Sequence, residues 1–422
     1  MIQWIRHGAC LGLACLVFLS QGAQAQAWRA QRLVDEALAA NSGIDALQAS
    51  VTAARWQVTP AGALDDPQFS YAIAPYSVGV GGLDTGHIIG LAQPIPWPGK
   101  RATRQARATA SVELAASELR QLQLELAAMA RQAHAQLRYL HAAIQTNEEQ
   151  RQRLADLQVA ATGRYRAGAG SQHAVLSAST RLAERQRQSL ELHARRQALE
   201  ARINALRNRP MDAPVPRPAQ WQALAGLPPT DQLAGAVQHA NPQLSMLRAR
   251  IRAARLDHQL ADLEDKPDLR LTANYLGTLP REEYRTQVGV VLNLPFGQSK
   301  RDAAQSAAAA QVVSLSAQHA DIQRRLEADL AEQVAGDRAA AAMQRLYANE
   351  LLPLARQTLD AALADYASGR GDVGAVIDAE ERLLQARLGL LESQARQWTH
   401  RAVIARLTGG ALDGQLLREI AS

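Results

Sequence analysis

The chain has 422 residues, 47% of them apolar but only 4% aromatic, and a formal net charge of +6. A compact core of this size leans on Phe, Tyr and Trp for bulk, whereas here Ala, Leu, Gln, Arg and Glu dominate, the vocabulary of long, closely packed helices. No Lys/Arg block is interleaved with aromatics, which argues against a nucleic-acid partner, and no segment after the N-terminus is apolar for the ~20 residues that a membrane-crossing helix needs.

Residues 1–25 read as a cleaved secretory signal: Arg6 supplies the positive charge, Leu11 to Leu19 the short apolar run, and Ala23-Gln24-Ala25 the small residues of the cleavage site. Cys10 and Cys15 both lie inside it. Cys15, in the middle of the apolar run, is a poor lipidation site, so the expectation is an exported, unlipidated chain without disulfides.

The remainder is a duplication with a period of about 200 residues. Asn41 and Leu47 match Asn241 and Leu247; Ala53-Ala54-Arg55 matches Ala253-Ala254-Arg255; Pro67 matches Pro267; Lys100-Arg101 matches Lys300-Arg301. Tyr165-Arg-Ala-Gly168-Ala-Gly170 matches Tyr366-Ala-Ser-Gly369-Arg-Gly371, and Val175 matches Val376. The expected units are a first repeat over 26–209, a Pro-rich linker over 210–230, a second repeat over 231–408 and a tail over 409–422.

Each repeat opens with a helix of moderate length, 31–59 and 231–264. Then come 67–97 and 267–296, where apolar residues alternate: Phe69, Tyr71 and Ile73; Leu269, Leu271, Ala273 and Tyr275; Val288, Val290, Leu292 and Leu294. Period-two patterning predicts strands, and ~9–11 residues suffice for a tilted strand to cross a bilayer. Phe69, Tyr71, Tyr76, Trp97, Tyr275, Tyr284 and Phe296 crowd these two stretches, as aromatics do at the interfaces of membrane barrels. A soluble hairpin capping a rod gives the same pattern. If the strands do cross a membrane, four per chain cannot close a barrel, so several chains must share one.

A very long helix follows in each repeat. Neither Gly nor Pro occurs between Arg101 and Thr162, a run of ~90 Å at 1.5 Å per residue. Leu119, Leu122, Leu126, Met129, Ala133, Leu137, Leu140 and Ile144 recur at spacings of three and four, as do Val312, Leu315, His319, Ile322, Leu326, Leu330 and Val334, which is coiled-coil-like spacing. Gly336 and Pro353 predict a kink or break in the second copy. Gly-rich turns at 165–172 and 366–373 reverse the chain into returning helices, 172–208 and 373–408.

This combination resembles the TolC family of outer-membrane efflux proteins over essentially the whole mature chain. Its most specific residues are Gln93-Pro-Ile-Pro-Trp-Pro-Gly-Lys-Arg101, the shorter Leu294-Pro-Phe-Gly-Gln-Ser-Lys-Arg301, and the two Tyr-x-x-Gly turns. The resemblance implies a mainly α fold with a small β part: long antiparallel helical hairpins forming an α-barrel, and four transmembrane strands per chain in a shared trimeric, twelve-stranded β-barrel. It places the protein in the outer membrane of a Gram-negative bacterium, extending into the periplasm. It also implies a homotrimer that works with a periplasmic membrane-fusion adaptor and an inner-membrane RND-type pump. The Pro-Trp-Pro-Gly-Lys-Arg version is similar to that of the heavy-metal exporting branch. A secretion-system exit channel has the same fold, and a periplasmic coiled-coil rod without a pore is the alternative from another class.

Candidate sites follow from the resemblance. Arg166, Gly168, Gly170, Val175, Gly369, Arg370, Gly371 and Val376 are the adaptor-facing tip, and Asp372 and Asp378 the periplasmic gate. Trp97, Lys100, Arg101, Phe296, Lys300 and Arg301 mark the membrane interface. Cations at a helix start oppose its dipole, so the expectation is that the basic pairs contact lipid phosphates; a solvated basic start is the plain alternative. No catalytic constellation, cofactor loop or metal-ligand spacing is present. His134 and His141 share a helical face, but two imidazoles make a weak metal site. The reading is a passive conduit rather than an enzyme.

Overall fold

A computed structural model describes residues 28–74, 86–221, 223–277, 285–417 and 419–420. The signal segment, Tyr76 and Tyr284 lie outside the described residues. The first repeat runs α1 (Ala30–Ala40), α2 (Ser42–Gly62), β1 (Gln68–Ala74), β2 (Gly86–Ile95), α3 (Lys100–Arg166) and α4 (Gln172–Leu206). After β3 (Ala223–Leu224), the second runs α5 (Thr230–Ala240), α6 (Pro242–Leu263), β4 (Leu269–Leu276), β5 (Thr286–Leu292) and α7 (Gln298–Leu346). It continues through a π-helical segment, Tyr347–Leu351, to α8 (Leu352–Ala367) and α9 (Val373–Leu407); α10 (Asp413–Leu416) and β6 (Glu419–Ile420) close the chain.

The opening helix of each repeat is two helices rather than the single one expected. Asn41 and Asn241 cause the break: each is extended, and its side chain caps the following helix, accepting from Gly43 and Ile44 N–H in one case and from Gln243 N–H in the other. An Asn side chain that competes for backbone donors favours such a cap over helix interior. Pro242, which has no N–H to leave unsatisfied in the first turn, reinforces the second break.

α3 is a single helix of 67 residues, ~100 Å long. Its counterpart is interrupted, but not at Gly336. That glycine stays inside α7, at a point where a Cβ would overlap the His400 ring of α9. The interruption is the π-helical segment just before Pro353. It has an arithmetic cause: Lys100 and Lys300 correspond at an offset of 200, Tyr165 and Tyr366 at 201, so the second copy holds one extra residue. A π-turn absorbs one residue without ending a helix.

Halfway along α3 the linker and tail wrap the bundle. Trp28 pairs with Pro218, β3 with β6, and the buried Trp28 carbonyl hydrogen-bonds His134 at 2.9 Å. Burial lowers the His134 pKa to about 4, so it stays neutral here, with its Nε2 engaged by the Trp28 carbonyl. Arg401, fully buried, forms a two-pronged pair with Asp337 (2.5 and 3.2 Å) and donates to the Leu416 and Ala225 carbonyls, both at 3.0 Å. One guanidinium thus ties α7, α9, linker and tail together.

Candidate functional site

The four strands form one antiparallel sheet in the order β1-β2-β4-β5, joining the two hairpins through β2 and β4. Register decides which side chains share a face. Phe69 pairs with Leu91, Tyr71 with Ile89, Leu91 with Ala273, and Leu271 with Val290. With Ile73, Tyr275, Val288 and Leu292 they make a mostly apolar face, interrupted by His87, Gln93 and Thr286 and largely exposed, Val288 to 82%. The opposite face is more polar, carrying Ser70, Gly90, Arg270, Thr272, Asn274 and Gln287 alongside Ala72, Ile88, Leu276 and Val291. Gly90 is required there, since a Cβ would overlap Ser70 Oγ and approach Asn274 Oδ1 to 2.8 Å. An apolar outer face and a polar inner one is the pattern of a strand set between lipid and water. Among the described residues β1 and β5 are left as the edges of this sheet, and lipid does not tolerate unpaired strand edges.

At the base of the sheet, the basic residues take several roles. Lys100 does not reach outward to lipid as expected; it is 1% exposed. Its ammonium donates to both Asp268 oxygens (3.0 and 3.1 Å) and lies 3.5 Å from Glu264. Asp268 also accepts from Trp97 N–H at 2.8 Å. Burial alone would raise the Asp268 carboxyl, but Trp97 N–H and Lys100 hold it below the ordinary carboxylate range. A carboxylate from the other repeat is therefore what favours a cation at this helix start. Arg101 donates twice to the Gly62 carbonyl at the end of α2, and Arg301 lies 3.8 Å from Asp265. Trp97 is half-buried, while Phe296 and Lys300 are exposed.

The opposite end holds the two turns. Gly168 and Gly369 are left-handed, with φ of 72° and 77°, a conformation glycine adopts without penalty. Ser171 caps α4 through Ala174 N–H, and Asp372 caps α9 through Ala375 N–H at 2.8 Å. Arg166 and Gly170 are exposed, and Arg370 is exposed and pairs with Asp365 at 3.3 Å. A Cβ at Gly371 would come within 3.1 Å of Tyr366 N. Val175 is partly buried, whereas Val376 is fully buried in the cluster with Leu154, Leu157, Leu359 and Ile377. Its recurrence has a packing cause, and it is not part of the exposed tip surface. Asp378 is exposed on a groove with His173, Arg181 and Glu184.

The link between the turns was not anticipated. Arg164 donates to the Tyr366 carbonyl at 2.8 Å, and its guanidinium lies 4.7 Å from the Tyr366 ring centre. No charge pairing in the sequence announces it, because the acceptor is a backbone carbonyl and an aromatic ring, while Asp365 pairs with Arg370. Further up, Arg153 pairs with buried Glu380 at 3.2 Å, and Arg387 with Glu149 at 3.1 Å, again joining the repeats. Burial raises the Glu380 carboxyl against the opposing pull of Arg153 and Arg387. Among the described residues, no group of three or more His, Asp or Glu is placed to hold a metal ion.

Tall helical hairpins bearing a small amphipathic sheet at one end and glycine turns at the other are a fold that solved outer-membrane channel structures share. Residues 33–209, the first repeat, match the family described as Outer membrane efflux protein. The whole fold is similar to that of the outer membrane protein VceC from Vibrio cholerae (19% identity, 90% of this chain and 96% of that one, TM-score 0.76). It is also similar to the open state of the Neisseria gonorrhoeae outer membrane channel MtrE (16%, 91% and 89%, TM-score 0.75) and to CusC, a protein that forms a transmembrane channel (15%, 90% and 92%, TM-score 0.72). No curated protein sequence matches the chain significantly.

Proposed function

We propose that the chain is the outer-membrane duct of a tripartite efflux system. Three copies would close a twelve-stranded barrel and, below it, a helical tunnel across the periplasm. Solute delivered by a periplasmic adaptor and an inner-membrane RND-type pump passes through passively, and no residue is asked to do chemistry. The observation that carries this reading is the sheet: its register gathers side chains into a mostly apolar face and a more polar one, beside a helix ~100 Å long. The unlipidated chain reaches the outer membrane after loss of residues 1–25. Arg166, Gly168, Gly170, Val175, Gly369, Arg370 and Gly371 meet the adaptor, Asp372 and Asp378 narrow the entrance, and Trp97, Arg101, Phe296, Lys300 and Arg301 lie near the inner membrane–water boundary. Heavy-metal cations are the proposed cargo, on the strength of the Trp97-Pro-Gly-Lys-Arg101 segment.

Deleting the gene and scoring sensitivity to divalent metals, drugs and secreted-protein release tests the reading. Metal sensitivity supports it. Loss of secretion alone transfers the duct to a secretion system, and outer-membrane fractions free of the protein contradict it altogether.

A further inference from the structure

Charge is scarce in the sheet and falls on one side of it. The four described strands β1, β2, β4 and β5 hold a single Lys, Arg, Asp or Glu among them, Arg270. Register puts it on the more polar face, between Pro94 of β2 and Val291 of β5, neither of which can answer a cation. Arg270 is exposed and, among the described residues, makes no ion pair. The acids that lead into β4 are already engaged: Glu264 and Asp268 lie with the Lys100 ammonium, and Asp265 with Arg301. Asp65 and Asp66 stand exposed ahead of β1, but the whole of β2 separates that strand from β4, ~10 Å at the usual strand spacing. The duplication sharpens the contrast. At an offset of 200, Arg270 corresponds to Ser70, which pairs with Gly90 on the same face of the other hairpin. One hairpin therefore carries a cation where its copy carries a small neutral group.

We infer that Arg270 sets the charge preference of the duct: one guanidinium from each copy forms a cationic collar where the helical tunnel opens into the barrel, and the collar favours anions over cations at that level. This rests on the duct reading, in which the more polar face lines water. Arg270 is the second residue of β4, at the end of the sheet that the helices enter. Rings of Arg or Lys side chains give pores an anion preference, as rings of Asp or Glu give a cation preference. A guanidinium keeps its charge at any working pH. The collar acts through water, so its reach is the Debye length, about 30 Å at ~0.01 M salt and about 3 Å at ~1 M. A bare divalent cation is repelled there, whereas a metal held in a neutral or anionic complex is not. The collar thus selects the chemical form in which cargo leaves. Asp372 and Asp378 lie at the far end of the helices, so the duct carries opposite fixed charge at its two ends.

The test reads reversal potentials of the purified mature protein in planar bilayers under a KCl gradient, with Asp372→Ala and Asp378→Ala in place so that these two acids contribute nothing. This channel is expected to prefer chloride over potassium. Arg270→Gln should lower the anion-to-cation permeability ratio by roughly two-fold or more near ~0.01 M salt, and hardly at all near ~1 M. Arg270→Glu should carry the preference over to cations. Ser70→Arg, which doubles the collar, should raise the anion preference. Conducting channels whose ratio is the same with Arg270, Arg270→Gln and Ser70→Arg overturn the collar and leave the duct intact. A change in ratio that persists undiminished in concentrated salt overturns its action through charge. Folded, oligomeric protein that passes no current in any variant overturns the collar and the duct reading together.

Discussion

Lys100 and Asp268 stand 168 residues apart and meet at 3.0 Å where the helices enter the sheet. The pair ties the start of the first repeat's long helix to the residue that leads into the second repeat's β4. Lys100→Met keeps the length of the side chain and removes the charge. It leaves the carboxylate with Trp97 N–H and the more distant charge of Arg104, and the expected loss is roughly 1–3 kcal/mol, toward the lower end because Asp268 is partly solvated. Asp268 is held below its unfolded pKa, so its contribution is present above that value and lost as pH falls through the depressed folded value. Thermal unfolding followed from neutral pH down to about 2 should show this acid loss in the parent and a shallower one in Lys100→Met.

Two glycines predict opposite outcomes. Gly409 has φ 67°, and a Cβ there would overlap the Ala240 carbonyl, so Gly409→Ala should destabilise by about 2–4 kcal/mol. Gly163 lies in the last turns of α3 with nothing within 4 Å of an added Cβ, so Gly163→Ala should stabilise by about 0.5–1 kcal/mol. Denaturant midpoints of the two variants check the signs.

Asp372 has two separable properties, its cap and its charge. The first repeat performs the same cap with Ser171. Asp372→Ser should therefore keep stability within about 0.5 kcal/mol, whereas Asp372→Ala loses about 1 kcal/mol. If the charge narrows the entrance, both variants raise conductance equally. A rise in Asp372→Ala alone would assign the effect to fraying of α9.

The two faces of β5 should respond differently to one substitution. Val290→Arg puts a cation on the apolar face, at a cost of ~2–4 kcal/mol near the bilayer midplane, and should sharply reduce the protein recovered in outer membranes. Gln287→Arg, on the polar face, should be recovered as the parent is. Equal recovery of both would remove the lipid assignment of that face.

How far the residues alone reveal this molecule depends on the range of the interaction. The strands were legible because Leu269 to Tyr275 and Val288 to Leu292 alternate, a signal local to each segment. The long helices were legible because nothing in Arg101 to Thr162 breaks them. Asn41 and Asn241 were visible as matched positions, but the cap that splits the helix depends on backbone geometry that a matched pair does not declare. The one-residue excess in the second repeat was in plain view, and a π-turn near Pro353 was its consequence. Lys100 was misplaced because its partner lies in the other repeat: a cation at a helix start looks solvated until the fold brings Asp268 to it. Val376 looked like tip surface for the same reason, since the cluster that buries it draws on both hairpins.

The central claim is that this chain builds a water-filled path through a membrane, and single-channel conductance in planar bilayers measures that directly. Purified mature protein carrying Asp372→Ala and Asp378→Ala, so that acidic closure is relieved, should give discrete, long-lived current steps of uniform size. Folded, oligomeric protein that inserts into the bilayer yet passes no current in this variant would contradict the duct and leave a membrane-anchored rod.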